Sequence, residues 1–136
     1  MRRIFEQRAS EIIHFGWEHG RFFDYWSFIH FLTGTLLGII AVNIGIAPWT
    51  TLLCVAGIAT LYEVLEIMLH VSEDAENVLF DIILTTAGAV FIQYSIDMTT
   101  SINIIWIFIG IGLIDLFLLS LGWRHYLKKK LHDAQK

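Results

Sequence analysis

The sequence predicts an all-α membrane protein, a four-transmembrane-helix bundle with an N-terminal amphipathic interfacial helix. Three observations carry that expectation. Hydrophobic residues make up 56% of the 136 residues, against roughly 45–50% in an ordinary soluble domain. Charged residues are only 16%, and the mean hydropathy is +0.64. The third is where the cations stand: all nine Lys and Arg lie at the two ends, four up to Arg21 and five from Arg124 onward. A single cysteine cannot close a disulfide within the chain. A net charge of −4 and the absence of a basic stripe exclude a nucleic-acid-binding protein.

Four apolar runs of about 20 residues are each long enough to cross a bilayer core of about 30 Å. They are expected near 26–47, 50–70, 77–97 and 102–123, within one membrane domain. Pro48, the run V-S-E-D-A-E and the run D-M-T-T-S separate them. An even number of spans with short loops puts both termini on one side. The Lys and Arg at both ends make that side the cytoplasm. Aromatic residues frame the bundle. Phe22, Phe23, Tyr25, Trp26, Trp123 and Tyr126 belong to the inner face; Trp49, Tyr94 and Trp106 belong to the outer one.

The first 20 residues have no apolar stretch suited to a signal peptide. Ile4, Phe5, Ala9, Ile12, Ile13 and Trp17 recur at helical spacing, with Arg2, Arg3, Glu6, Gln7, Ser10, Glu11 and His14 opposite. That pattern predicts a helix lying in the headgroup layer, or one docked on a partner. The tail W-R-H-Y-L-K-K-K is a basic juxtamembrane cluster suited to anionic lipid. Cys54 and Met68 are expected to pack inside the bundle. Glu73 and Asp97 are expected to be solvated loop charges.

Alternating span directions place several polar residues at one depth. His30 falls one turn inside the inner surface on the first span. Glu63, Glu66 and His70 close the second, Asn77 and Asp81 open the third, and Asp115 lies in the inner half of the fourth. Spacings of three and four residues put Glu63, Glu66 and His70 on one helix face. Asn77, Asp81, Thr85 and Gly88 form a second stripe. His30, Gly34 and Gly38 form a third, whose small residues allow close helix approach.

An intramembrane carboxylate costs roughly 2.5–3.5 kcal/mol on insertion scales and normally finds a partner. No Lys or Arg within the spans can serve. Protonation, a divalent ion or a cationic ligand would each neutralise the acids. Carboxylates with imidazoles suit Mn, Zn, Fe or Mg. His30, Glu63, Glu66, His70 and Asp81 are therefore the candidate metal ligands. Glu63, Glu66 and Asp81 are also candidate catalytic acid–base groups. Asp115 is a candidate interhelical hydrogen-bond partner.

H-F-L-T-G at 30–34, Y-E-V-L-E at 62–66 and D-I-I-L-T-T-A-G-A at 81–89 resemble the VanZ-like and YjdF-like small bacterial membrane proteins. The resemblance spans residues 26–90 and aligns His30, Glu63, Glu66, Asp81 and Gly88 with the family pattern. Asn77 stands where an aspartate is usual, Thr85 where an asparagine is usual and Tyr62 for a tryptophan. Trp26 stands where an aspartate often precedes the histidine. The resemblance implies a bacterial inner (plasma) membrane location and a role in the cell envelope, without naming a reaction.

Three functions are open on the sequence alone. One is a polar, metal-binding site at the cytoplasmic leaflet acting on a lipid or envelope precursor. The second is a non-catalytic accessory or structural subunit of a larger membrane complex. The third is a proton or cation pathway, which would need other subunits or a homo-oligomer. Membrane lipids are partners in all three.

Overall fold

The structure is a computed structural model that describes residues 13, 15–17, 22–69, 74–95 and 101–133. Four helices follow in order: α1 Tyr25–Asn43, α2 Pro48–Met68, α3 Ala75–Ser95 and α4 Ser101–Asp133. All four are long and apolar enough to cross a membrane.

Local chemistry sets the helix ends. Asp24 caps α1: its carboxylate accepts from the N–H groups of Trp26 at 2.8 Å and Ser27 at 3.1 Å. The Ser27 hydroxyl accepts in return from the Asp24 N–H at 3.3 Å, completing a capping box. At the other end Gly45 takes a positive φ of 75°. The Gly45 N–H then reaches the Val42 carbonyl and the Ile46 N–H reaches that of Ala41, a Schellman closure. That turn ends α1 at Asn43, short of the expected 47. Pro48 then starts α2 at a position where a missing N–H costs nothing. By contrast, α4 runs on to Asp133 instead of stopping near 123. Leu and Lys are good helix formers, and no proline interrupts the basic tail.

Helices α1 and α3 form the tightest pair, and glycine explains it. A β-carbon on Gly34 would overlap the Thr85 carbonyl, and one on Gly88 would overlap that of Phe31. The two backbones therefore touch directly, as small residues permit in membrane bundles. Helix α2 lies mainly against α3 and more lightly against α1. Helix α4 lies along α1, and among the described residues its backbone comes close to no other helix. Ile104 of α4 still reaches a small apolar cluster with Ile39 and Ile92.

The buried set inverts the pattern of a water-soluble protein. Ser27, His30, Thr35, Thr51, Glu63, Glu66, Asn77, Asp81, Thr85 and Asp115 are buried, whereas Leu53, Leu61, Phe91, Trp106, Leu113 and Phe117 are exposed. An apolar surface of that extent suits acyl chains rather than water. Cys54 and Met68, expected inside, are exposed, because α2 packs through the stripe of Thr51, Val55, Ala59, Glu63 and Glu66.

Of the expected interfacial helix at 1–22, residues 1–12 lie outside the described residues. Where the chain is described it is bent rather than helical at 16–17 and 22. Ile13 makes an isolated parallel bridge to Phe23, and the Tyr25 N–H donates to the Gly16 carbonyl at 3.2 Å. Trp17 packs edge-on against Tyr25 and Trp26, with centroids 5.3 and 5.8 Å away. This segment is thereby tied to the start of α1.

Candidate metal centre

Three of the four helices deliver one ionisable side chain each to a single point. His30 comes from the second turn of α1, Glu63 from the last third of α2 and Asp81 from the second turn of α3. His30 Nε2 lies 3.7 Å from Glu63 Oε1 and 3.7 Å from Asp81 Oδ2. One donor atom from each of the three falls within 4.8 Å of the other two. The residues are 8%, 2% and 1% exposed, respectively.

These separations exceed hydrogen-bond length. Atoms sharing one ion at roughly 2.0–2.6 Å stand about 3–4 Å apart across adjacent positions and about 4–5 Å across opposite ones. The cluster falls within that range. Its chemistry agrees: one imidazole nitrogen and two carboxylates are a mixed N/O donor set for a divalent cation.

The surrounding residues orient two of the three, Asp81 and His30. The Asn77 amide donates to Asp81 Oδ2 at 3.2 Å from one turn earlier on α3. Thr85, one turn later, donates its hydroxyl to the Asp81 carbonyl at 2.8 Å, and the same oxygen lies 3.4 Å from His30 Nδ1. The His30 ring meets Tyr62 of α2 edge-on at 5.5 Å.

Of the five expected ligands, the fold joins His30, Glu63 and Asp81. Glu66 is buried one turn further along the same face of α2, beyond the group of three. His70 lies outside the described residues, as do Glu73 and Asp97. Asp115 is buried on α4 and turns to a different part of α1. Its Oδ2 accepts from the Thr33 hydroxyl at 3.1 Å, and its Oδ1 has no hydrogen-bond partner among the described residues.

Sequence reasoning did not single out Thr33, nor the 2.6 Å bond from the Gln93 amide to Thr51 that ties α3 to α2. Both pairs join polar residues of different spans, so only the rotation of each helix reveals them. The role of Asn77 and Thr85 did have a signal, since each stands four residues from Asp81. No protein-family model, no curated protein and no solved structure matches the chain.

Proposed function

We propose that this chain is a bacterial inner-membrane protein that binds a divalent cation through His30, Glu63 and Asp81 near the cytoplasmic leaflet. A lipid or cell-envelope precursor is its substrate class. One observation carries the reading: three donor atoms from three helices, in a bundle interior with no Lys or Arg, lie within 4.8 Å of one another. Leaving three ionisable groups together in a membrane is costly. A divalent ion offsets that cost for all three at once.

Three protein ligands leave coordination positions open, as in catalytic rather than structural sites. A bound ion would supply Lewis-acid polarisation of a phosphoryl or carbonyl oxygen or an activated water. His30, Glu63 and Asp81 would hold the ion, with Asn77 and Thr85 beside Asp81 and His30. The Lys and Arg at both ends support the cytoplasmic location.

A second reading, a non-catalytic subunit, draws on α4, whose backbone among the described residues comes close to α1 alone and on which Trp106, Leu113 and Phe117 are exposed. Metal analysis of the detergent-purified protein separates the two. The metal-site reading expects about one Mn, Fe, Zn or Mg per chain, lost in Glu63→Gln and Asp81→Asn. A wild-type protein that retains no ion and gains no stability from any of the four would favour the subunit.

A further inference from the structure

We propose that the exposed face of α4 binds one anionic phospholipid, with Arg124 and Lys128 on its phosphate and Leu113 and Phe117 along its acyl chain. The proposal is independent of the metal site, whose three residues come from the other helices.

The packing of α4 leaves that face bare. Toward α1 it presents Ile104 in the apolar cluster with Ile39, Asp115 on the Thr33 hydroxyl and Gly122 against the Trp26 ring. At 3.6 residues per turn, Trp106, Leu113, Phe117, Arg124, Lys128 and Leu131 share one stripe on the opposite side. All six are exposed.

Depth assigns the parts. From Trp106 to Arg124 the helix rises about 27 Å, at 1.5 Å per residue, close to a hydrocarbon core of about 30 Å. With Trp106 at one interface, Arg124 reaches the phosphates of the other. Leu113 and Phe117 stand about 16 and 10 Å before Arg124, within the leaflet on its side. Lys128 follows one turn later on the same face.

The chemistry fits a lipid phosphate. Arginine offers a fork of donors that matches phosphate, and lysine adds a mobile point charge. Among the described residues neither Arg124 nor Lys128 is paired with an acid. A partner helix could cover the apolar part of the stripe but would leave both cations unanswered. A phospholipid supplies an acyl chain and an anion in the order in which the stripe presents them. The neighbouring lysines belong to other faces: Lys130 stands over the Tyr126 ring at 5.7 Å, and Lys129 is turned about 100° from Lys128.

The test uses the full chain purified in detergent. It is titrated with phosphatidylglycerol, or with phosphatidylcholine of the same chain length, and bound lipid is counted by native mass spectrometry. The wild type should hold one phosphatidylglycerol about 25-fold more tightly than phosphatidylcholine, since each Lys or Arg near anionic lipid contributes about 5-fold. Arg124→Gln combined with Lys128→Gln should erase that preference. The charge-matched pair Lys129→Gln and Lys130→Gln should keep most of it. Equal losses in the two double variants would mean diffuse attraction to a basic tail and would overturn the site. A wild type indifferent to the headgroup would overturn it too, and would leave the stripe to a partner helix. An excess of inorganic phosphate should not displace the lipid; ready displacement would overturn a site that grips the acyl chain as well as the phosphate.

Discussion

Gly34 faces the carbonyl oxygen of Thr85 so closely that a β-carbon on residue 34 would occupy the same space. His30 stands one turn before Gly34, and Thr85 one turn after Asp81. The contact that brings α1 and α3 together therefore also sets the distance from His30 to Asp81.

Gly34→Ala should lower stability by about 1–3 kcal/mol or more, since overpacking a close-fitted interior is costly and the clash is with backbone. It should also abolish metal uptake. Gly110→Ala makes the matched control, because nothing lies within 4 Å of a β-carbon there; it should leave the melting temperature and metal content at wild-type values. Thermal melts of both variants in the same detergent decide the matter. A Gly34→Ala protein as stable and as metal-loaded as wild type would mean that α1 and α3 are not held at contact distance.

Asp115 gives a sharper boundary to the site. It bonds Thr33 rather than joining His30, Glu63 and Asp81, so Asp115→Asn should leave metal content unchanged. Asn keeps an acceptor for Thr33 and removes an ionisable group, so stability should hold or rise. The Thr33–Asp115 pair itself should contribute little, about 0.6 kcal/mol and no more than about 1.7, as interhelical bonds in membranes do. A double-mutant cycle with Thr33→Val and Asp115→Leu measures it. Loss of the ion in Asp115→Asn would show that the site extends to α4.

Much of this was legible in the residues, and the reason is periodicity. Apolar runs near 20 residues mark spans whatever their neighbours, so the four helices needed no tertiary information. The i, i+3 and i, i+4 stripes through Glu63, Asp81 and His30 marked the inward faces, because a membrane leaves charged groups few other places. What the stripes could not give is how each helix is rotated and how high it sits against the next. Glu66 shares the stripe of Glu63 yet falls outside the cluster, because a further turn of rise carries it past the level of His30. Mid-span position does not bury Cys54, because α2 buries only one face. The end of α1 at Asn43 depended on the left-handed turn at Gly45, a single residue within an otherwise continuous apolar run.

Orientation is open to direct measurement. Reporter fusions after residue 136 and before residue 1 should both report the cytoplasm, since the basic residues flank the first and last spans. Fusions in the α1–α2 turn near Gly45 should report the opposite side. Termini on opposite sides would contradict four crossings and move the polar cluster to another leaflet.

The acids themselves supply the last prediction, because a structural network and a metal site respond oppositely to loss of one charge. In a purely structural network, removing one partner leaves the rest unsatisfied at about 1–3 kcal/mol each, so Glu63→Gln and Asp81→Asn should melt earlier than wild type under all conditions. In a metal site both substitutions keep the side-chain shape and remove one ionisation cost, so the metal-free variants should melt at or slightly above metal-free wild type. Addition of Mn²⁺, Zn²⁺ or Mg²⁺ should then raise the wild type alone. At a hundredfold excess over the dissociation constant the gain is about 2.7 kcal/mol, and a chelator should reverse it. Parallel melts of the three proteins with chelator and with each ion in turn provide the comparison. Variants that melt early throughout, beside a wild type indifferent to ions and chelator, would reduce the cluster of His30, Glu63 and Asp81 to helix packing.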